Sequence, residues 1–262
     1  MTLIITIVFF VFGLIIGSFL NVVIFRLNSG RSFGGRSGCM TCNKQLTWYE
    51  LIPVGSFISQ KGKCRGCKTR ISIQYPLVEI LTGFIFSAIF LKFQYIFWTS
   101  TLDFSLALVF YSSIFSLLLV ISVYDIKHKI IPDILSLVVG IISFIGIFFF
   151  SYGIFNPHIP NLYTILAGPI LALPFATIWL ISSGRWMGLG DAKLALGLGW
   201  LLGISLGFSA LILAFWIGAI VGILLLVFSG KHSTKTEIPF APFLVIGTFL
   251  IFLFEINFFP FY

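Results

Sequence analysis

Charge is what this sequence has least of. Only 9% of its 262 residues are Asp, Glu, Lys or Arg, against about 25% in an average soluble domain. Acid is scarcer still, with eight Asp and Glu for 16 Lys and Arg. A soluble globule cannot be clothed with so few charges, and with 59% hydrophobic residues and a mean hydropathy of +1.11 the chain reads as an integral membrane protein. No stretch outside the apolar runs is long enough for a nucleotide-binding βαβ domain. The formal charge of +8 comes without any aromatic-basic recognition motif, so it is explained by membrane topology, and no nucleic-acid partner is expected. The first apolar run has no basic residue before it and no small-residue cleavage site after it, so it is expected to be a permanent helix.

Apolar windows of about 17 to 25 residues can each cross a ~30 Å hydrocarbon core. They fall at Leu3 to Phe25, Tyr75 to Leu91, Phe104 to Val123, Ile134 to Phe150, Leu162 to Ile181 and Phe208 to Phe228. A short run from Leu194 to Leu206 and a terminal one from Phe240 to about Phe254 complete the set. The expected fold is an all-α polytopic bundle of about eight transmembrane helices, or seven if the short run is re-entrant. Nine of the 16 basic residues (Arg26, Arg31, Arg36, Lys44, Lys61, Lys63, Arg65, Lys68 and Arg70) lie between the first two spans, which places that loop in the cytosol. Lys127 and Lys129, Arg185 and Lys193, and Lys231 and Lys235 then fall in cytosolic loops too. Only Lys92 is left at an outer end, and both termini are expected outside.

Residues 26 to 74 alone have a soluble composition, and they hold all four cysteines. Cys39-Met40-Thr41-Cys42 and Cys64-Arg65-Gly66-Cys67 stand 21 residues apart, close to the spacing by which zinc ribbons close a four-thiolate site. An insertion of about 45 residues buries too little to fold by core packing, so a metal would supply much of its stability. Disulfides are the alternative, disfavoured by the reducing side of the membrane. The domains expected are a first helix (1–25), the Cys-x-x-Cys insertion (26–74) and a transmembrane catalytic domain (75–262).

Two carboxylates sit at the cytosolic edges of separate spans, Asp125 after Tyr124 and Asp191 closing Gly188-Leu189-Gly190-Asp191. Ionisable groups near a bilayer core are costly, which marks both as functional candidates. Brought together by helix packing, they would form an acid pair suited to hydrolysing peptide bonds. Gly188 and Gly190 permit unusual dihedrals and close approach. Asp191 is expected near a helix N-terminus, where the dipole favours an anion, with Lys193, Lys127 and Lys129 supporting ionisation. The alternative is that Asp191 is only an N-cap and Asp125 a membrane-border anchor. Asp133, after Pro132, reads first as a capping residue that also orients the loop.

In order and spacing these residues resemble the type IV prepilin peptidases. The resemblance runs through Gly17-Ser18-Phe19-Leu20-Asn21-Val22-Val23-Ile24 with Arg26-Leu27, the two Cys-x-x-Cys pairs, Gln74-Tyr75-Pro76-Leu77-Val78-Glu79, Asp125 through Ile131-Pro132-Asp133, Gly188 to Lys193, and Ile238-Pro239-Phe240-Ala241-Pro242-Phe243. It implies an aspartyl endopeptidase of the bacterial inner membrane. Such an enzyme cuts short basic leaders from type IV prepilin or pseudopilin precursors at the cytosolic face, with Asp125 and Asp191 catalytic. It further implies N-methylation of the new N-terminus from S-adenosylmethionine. Asn28 stands where members carry a proline, and Ser32 to Gly38 is rich in Gly and Ser where they carry prolines. Glu50, Glu79 and Glu237, the scarce acids on that side, read first as interfacial salt-bridge partners of a neighbouring Lys or Arg and second as groups that meet a basic leader.

Three other readings compete, one of them a zinc-stapled assembly scaffold with no chemistry. A presenilin-like or signal-peptide-peptidase-like intramembrane protease shares the Tyr-Asp and Gly-Leu-Gly-Asp pattern but carries a Pro-Ala-Leu segment, where this chain has Ile238 to Phe243. A proton-coupled transporter would need acids near the midplane and repeated halves with broken helices. Gly197-Leu198-Gly199 reads as close helix packing through small residues, not as a nucleotide loop.

Overall fold

The computed structural model describes residues 1–30, 32, 34–151, 153–229 and 238–259. Arg31, Lys231, Lys235, Glu237 and part of the Ser32–Gly38 linker lie outside the described residues. The chain forms two compact units, Met1–Tyr95 and Ile96–Tyr262, and the architecture is that of an all-α, multi-pass membrane protein.

In the first unit, α1 (Thr2–Arg26) and α3 (Gln74–Thr99, whose last turn belongs to the second unit) form an antiparallel hairpin. Glycine sets its tightness. A β-carbon on Gly13 would lie 2.7 Å from the Thr82 carbonyl oxygen, and one on Gly17 would lie 2.7 Å from the Glu79 Cα. Small residues let backbones meet where lipid offers no hydrophobic drive between helices. Phe9 stacks on Phe90, and Phe25 stacks on Tyr75, each pair with ring centroids 4.9 Å apart. Asn21 donates from Nδ2 to the Tyr75 carbonyl at 3.0 Å. These pairs run in opposite directions along the two helices, so both ends of the insertion leave from one end of the hairpin. Within the insertion lie a single 3-10 turn at Trp48–Glu50 and the short helix α2 (Gly55–Ser59).

The second unit contains α4 (Thr101–His128), α5 (Asp133–Phe149), a two-residue hairpin of β1 (Phe150–Ser151) and β2 (Ile154–Phe155), α6 (Leu162–Ser182), α7 (Leu189–Ser229) and α8 (Ala241–Phe254). Helix α7 packs on α5, α6 and α8 in turn. A β-carbon on Gly197 would come within 3.2 Å of Gly140 in α5, and one on Gly199 within 2.5 Å of the Ala167 carbonyl oxygen in α6. Gly247 of α8 would meet the Ala210 carbonyl oxygen at 2.6 Å. The small-residue reading of Gly197 to Gly199 therefore holds. Tyr111 and Phe115 of α4 pack their rings on Phe252 of α8, with centroids 4.8 and 4.9 Å away.

The two runs read as Leu194 to Leu206 and Phe208 to Phe228 are halves of α7. They are broken only at Gly203, whose φ of 78° and ψ of 179° are non-helical. Among the described residues five helices are long and apolar enough to cross a membrane, and α5 and α8 are shorter apolar helices. The break divides α7, one of those five, into two segments.

Candidate active site and metal centre

Helix α4 carries Asp125 in its last turn, and Lys129 ends the helix in the left-handed region at φ 54°, its N–H donating to the Asp125 carbonyl at 2.7 Å. Helix α7 opens at Leu189 and carries Asp191 in its first turn, so the expectation of a helix N-terminus holds. Both carboxylate residues are buried, at 5% and 9% exposure, and Asp191 lies within electrostatic reach of Asp125. The two acids, 66 positions apart in the chain, are thus neighbours within the second unit.

Two contacts hold them there. The backbone N–H of Ala241, the first residue of α8, donates to Asp125 Oδ2 at 3.2 Å. Helix N-termini carry orphan N–H donors, and here one finds its acceptor on the acid. The second contact is steric: a β-carbon on Gly190 would stand 2.9 Å from Ile131 Cβ. The start of α7 thereby seats against the loop between α4 and α5. Neither Gly188 nor Gly190 is among the positive-φ residues. Of the two expected reasons for these glycines, close approach at Gly190 is the one the geometry uses. A β-carbon on Gly188 would meet only ordinary contacts, 3.9 Å from Gly190 N and 4.0 Å from Asp191 Oδ2.

Asp133 differs from its expected role. Pro132, not Asp133, is the N-cap of α5, and no side chain caps that helix. The Asp133 carboxylate instead binds Lys193 Nζ at 2.7 Å, a bridge between α5 and α7 exposed on both sides. Lys193 is therefore engaged by Asp133.

The cysteines form two matching turns. Cys39 N–H donates to the Lys44 carbonyl and Cys64 N–H to the Thr69 carbonyl, at 3.0 and 2.9 Å, and bridges at Gly38 with Gln45 and Lys63 with Arg70 close each turn. Asn43 and Lys68, each four positions after the first cysteine of its turn, both adopt left-handed φ, at 54° and 61°. The four Sγ atoms lie within 4.8 Å of one another, and Cys39 and Cys67 are 3.7 Å apart. Four sulfurs about 2.3 Å from a tetrahedral metal would be separated by about 3.8 Å. The residues fit a metal, and all four are free cysteines. The Thr69 hydroxyl, 3.2 Å from Cys67 Sγ, and the Thr69 N–H hold the Cys67 thiol down to about 6.

Of the two readings of the scarce acids, the salt bridge to a neighbouring cation is the one found at Glu50. Glu50 accepts the Thr47 N–H at 3.0 Å and the Thr47 hydroxyl at 2.9 Å, with Lys44 Nζ 3.5 Å away, and these hold its carboxyl below the usual range. Glu79, buried, accepts the Val54 N–H at 2.7 Å. Both face inward, and the third, Glu237, is outside the described residues. Sequence reasoning missed Ala241 and Ile131, which act through a backbone donor and a bare surface. Their only prior mark was membership of the Ile238–Phe243 and Ile131–Asp133 motifs.

The bacterial peptidase A24 N-terminal domain matches residues 11–93, and the type IV leader peptidase family matches residues 112–223, the stretch that holds both aspartates. A prepilin leader peptidase/N-methyltransferase of Bacillus subtilis (strain 168) is 32% identical over 256 residues, covering 97% of this chain and 96% of that protein. The chain belongs to the type IV leader peptidase family. Other members with the same description are 36% identical in Myxococcus xanthus (strain DK1622), over 87% of this chain and 65% of the longer relative, and 31% identical in Stutzerimonas stutzeri, over 90% of this chain and 86% of the relative. No solved structure matches the chain. The two family matches fall one on each unit of the chain.

Proposed function

We propose that this chain is a prepilin leader peptidase in which Asp125 and Asp191 are the catalytic pair. The observation that carries the reading is a pair of buried carboxylates, on α4 and α7, within electrostatic reach of each other in a chain of this family. In the reaction, the ionised carboxylate takes a proton from water as the oxygen attacks the scissile carbonyl carbon, and the protonated carboxyl gives its proton to the carbonyl oxygen. Collapse of the tetrahedral intermediate breaks the C–N bond, and a proton returns to the departing nitrogen. The leader leaves with a new carboxylate and the pilin-like product with a free amine. Ala241 N–H orients Asp125, and Gly190 lets Asp191 approach; Asp133 and Lys193 join α5 to α7 beside them. Functionally, residues 75–262 are the part assigned to peptide cleavage.

The substrates proposed are type IV prepilins or pseudopilins in the bacterial plasma membrane. The basic residues support a cytosolic active site with both termini outside. For the insertion the metal proposed is Zn²⁺, held by Cys39, Cys42, Cys64 and Cys67 in a structural role, since four thiolates close the coordination shell and leave no open position. Relatives are named N-methyltransferases as well, which supports methylation of the new amine from S-adenosylmethionine as a second activity. Among the described residues the strands are a two-residue pair and two isolated bridges. No nucleotide-binding sheet exists there, and no residue is assigned to that cofactor.

The test is co-expression with a prepilin and measurement of leader loss. Asp125→Asn and Asp191→Asn keep side-chain shape and remove the acid-base chemistry, so each should lower cleavage by at least about 10³-fold, within the range general acid-base groups contribute. Cleavage that survives both substitutions overturns the assignment.

A further inference from the structure

The insertion presents a face for which the proposed chemistry has no use. Lys61, Lys63, Arg65 and Lys68 line a single cavity of about 300 Å³ beside Cys64. Glu50 is the one acid between residues 26 and 73, and it is buried and bound to Thr47 and Lys44. Among the described residues no carboxylate answers the four cations. Exposed apolar side chains stand near them: Trp48 is 78% exposed and Ile58, next to the lining residue Ser59, 68%. Arg65 lies over the Tyr49 ring, 4.9 Å from its centroid, and Tyr49 in turn packs edge-on against Trp48. Cationic and aromatic groups thus belong to one surface.

A basic leader peptide would be repelled by such a face. An anionic bilayer surface would not, since it attracts clustered Lys and Arg and accepts Trp and aliphatic side chains at headgroup depth. The insertion is also held beside that surface by covalent connection, because α1 ends at Arg26 and α3 begins at Gln74 at the same end of the hairpin. We propose that the cavity lined by Lys61, Lys63, Arg65 and Lys68, flanked by Trp48 and Ile58, docks the insertion onto anionic phospholipid headgroups of the protein's own membrane. This is independent of the protease reading and stands or falls apart from it.

The experiment uses the full chain in nanodiscs of phosphatidylcholine, with or without phosphatidylglycerol, and follows amide hydrogen exchange across residues 48–70. Exchange should be slower with phosphatidylglycerol, and each of Lys61→Gln, Lys63→Gln, Arg65→Gln and Lys68→Gln should reduce that protection about fivefold, the worth of one basic side chain at an anionic surface. About 1 M salt, with a Debye length of ~3 Å, should abolish it. Equal exchange in the two lipids, or protection untouched by the substitutions, overturns the proposal. So does inorganic phosphate added to phosphatidylcholine discs if it reproduces the slow exchange, because the ligand is then a free anion. Metal content per chain reports whether a variant has folded. Lys61→Glu, outside both Cys-x-x-Cys turns, decides the matter if another variant loses its metal.

Discussion

A methyl group on Gly190 would have to share space with Ile131, 2.9 Å away, and a side chain with a Cβ of its own cannot bend out of the way. The start of α7 must then move off the α4–α5 loop and carry Asp191 with it. Misplacing a catalytic group by about 1 Å costs on the order of 10²-fold in rate, so Gly190→Ala should lose roughly that much leader cleavage. Gly188→Ala, where the added carbon meets nothing nearer than 3.9 Å, should stay within about threefold of wild type, below the loss from even a 1 Å displacement. Thermal unfolding of both variants should remain close to wild type, which separates misplacement from unfolding. An equal loss in both would mean the glycines matter for some other reason. The aspartates were legible from sequence because a carboxylate at a membrane edge is costly. Their supports were not, because a backbone N–H at Ala241 and the flank of Ile131 have no chemical signature in a string of letters. Asp133 misled for a related reason: Pro-Asp at a helix start looks like a cap, and only the fold shows Lys193 within 2.7 Å of it.

At the level of elements, apolar length alone outlined the helices, since a window that must cross hydrocarbon leaves few other conformations open. The seam in α7 was harder. One residue, Gly203, separates its halves, and a break that short barely interrupts the hydropathy. Its φ of 78° with ψ near 180° lies in a region open essentially to glycine. Open space surrounds the position, with nothing within 4 Å of an added β-carbon. Gly203→Ala should therefore cost about 1–3 kcal/mol through the backbone alone. Gly199→Ala meets the opposite problem, a β-carbon 2.5 Å from the Ala167 carbonyl oxygen with helical backbone on both sides, and should cost about as much by overpacking, ~1–3 kcal/mol. Gly197→Ala, at 3.2 Å from Gly140, should be milder than either. Thermal unfolding in detergent ranks the three. Were Gly203→Ala neutral and Gly197→Ala the most damaging, the break at Gly203 would not be a fixed feature of α7.

Across the whole chain, stability is unevenly supplied. The second unit has a core of its own, with Phe115, Leu118, Ile121, Phe175, Leu198 and Leu244 at 1% exposure or less. Between residues 26 and 73 the only described residues in the buried set are Cys64 and Glu50. An insertion whose buried residues are one thiol and one carboxylate has almost no hydrophobic burial to offset chain entropy, so a metal held by the four cysteines would serve as its core. Structural zinc supplies on the order of 10 kcal/mol to such modules. Purified protein should carry about one zinc per chain, the count a closed four-thiolate site holds, and Cys39→Ser with Cys64→Ser should remove it. Chelation should then raise amide exchange across residues 38–70 by about 100-fold or more, since several kcal/mol of local stability disappear. Protection in Ile96–Tyr262, where no metal ligand lies, should persist. A reductant without chelator should leave the insertion intact. If the reductant alone opened it, and chelator under oxidising conditions did not, the cysteines would be working as covalent bridges. The second unit, with a buried core of its own, should keep its fold in either case.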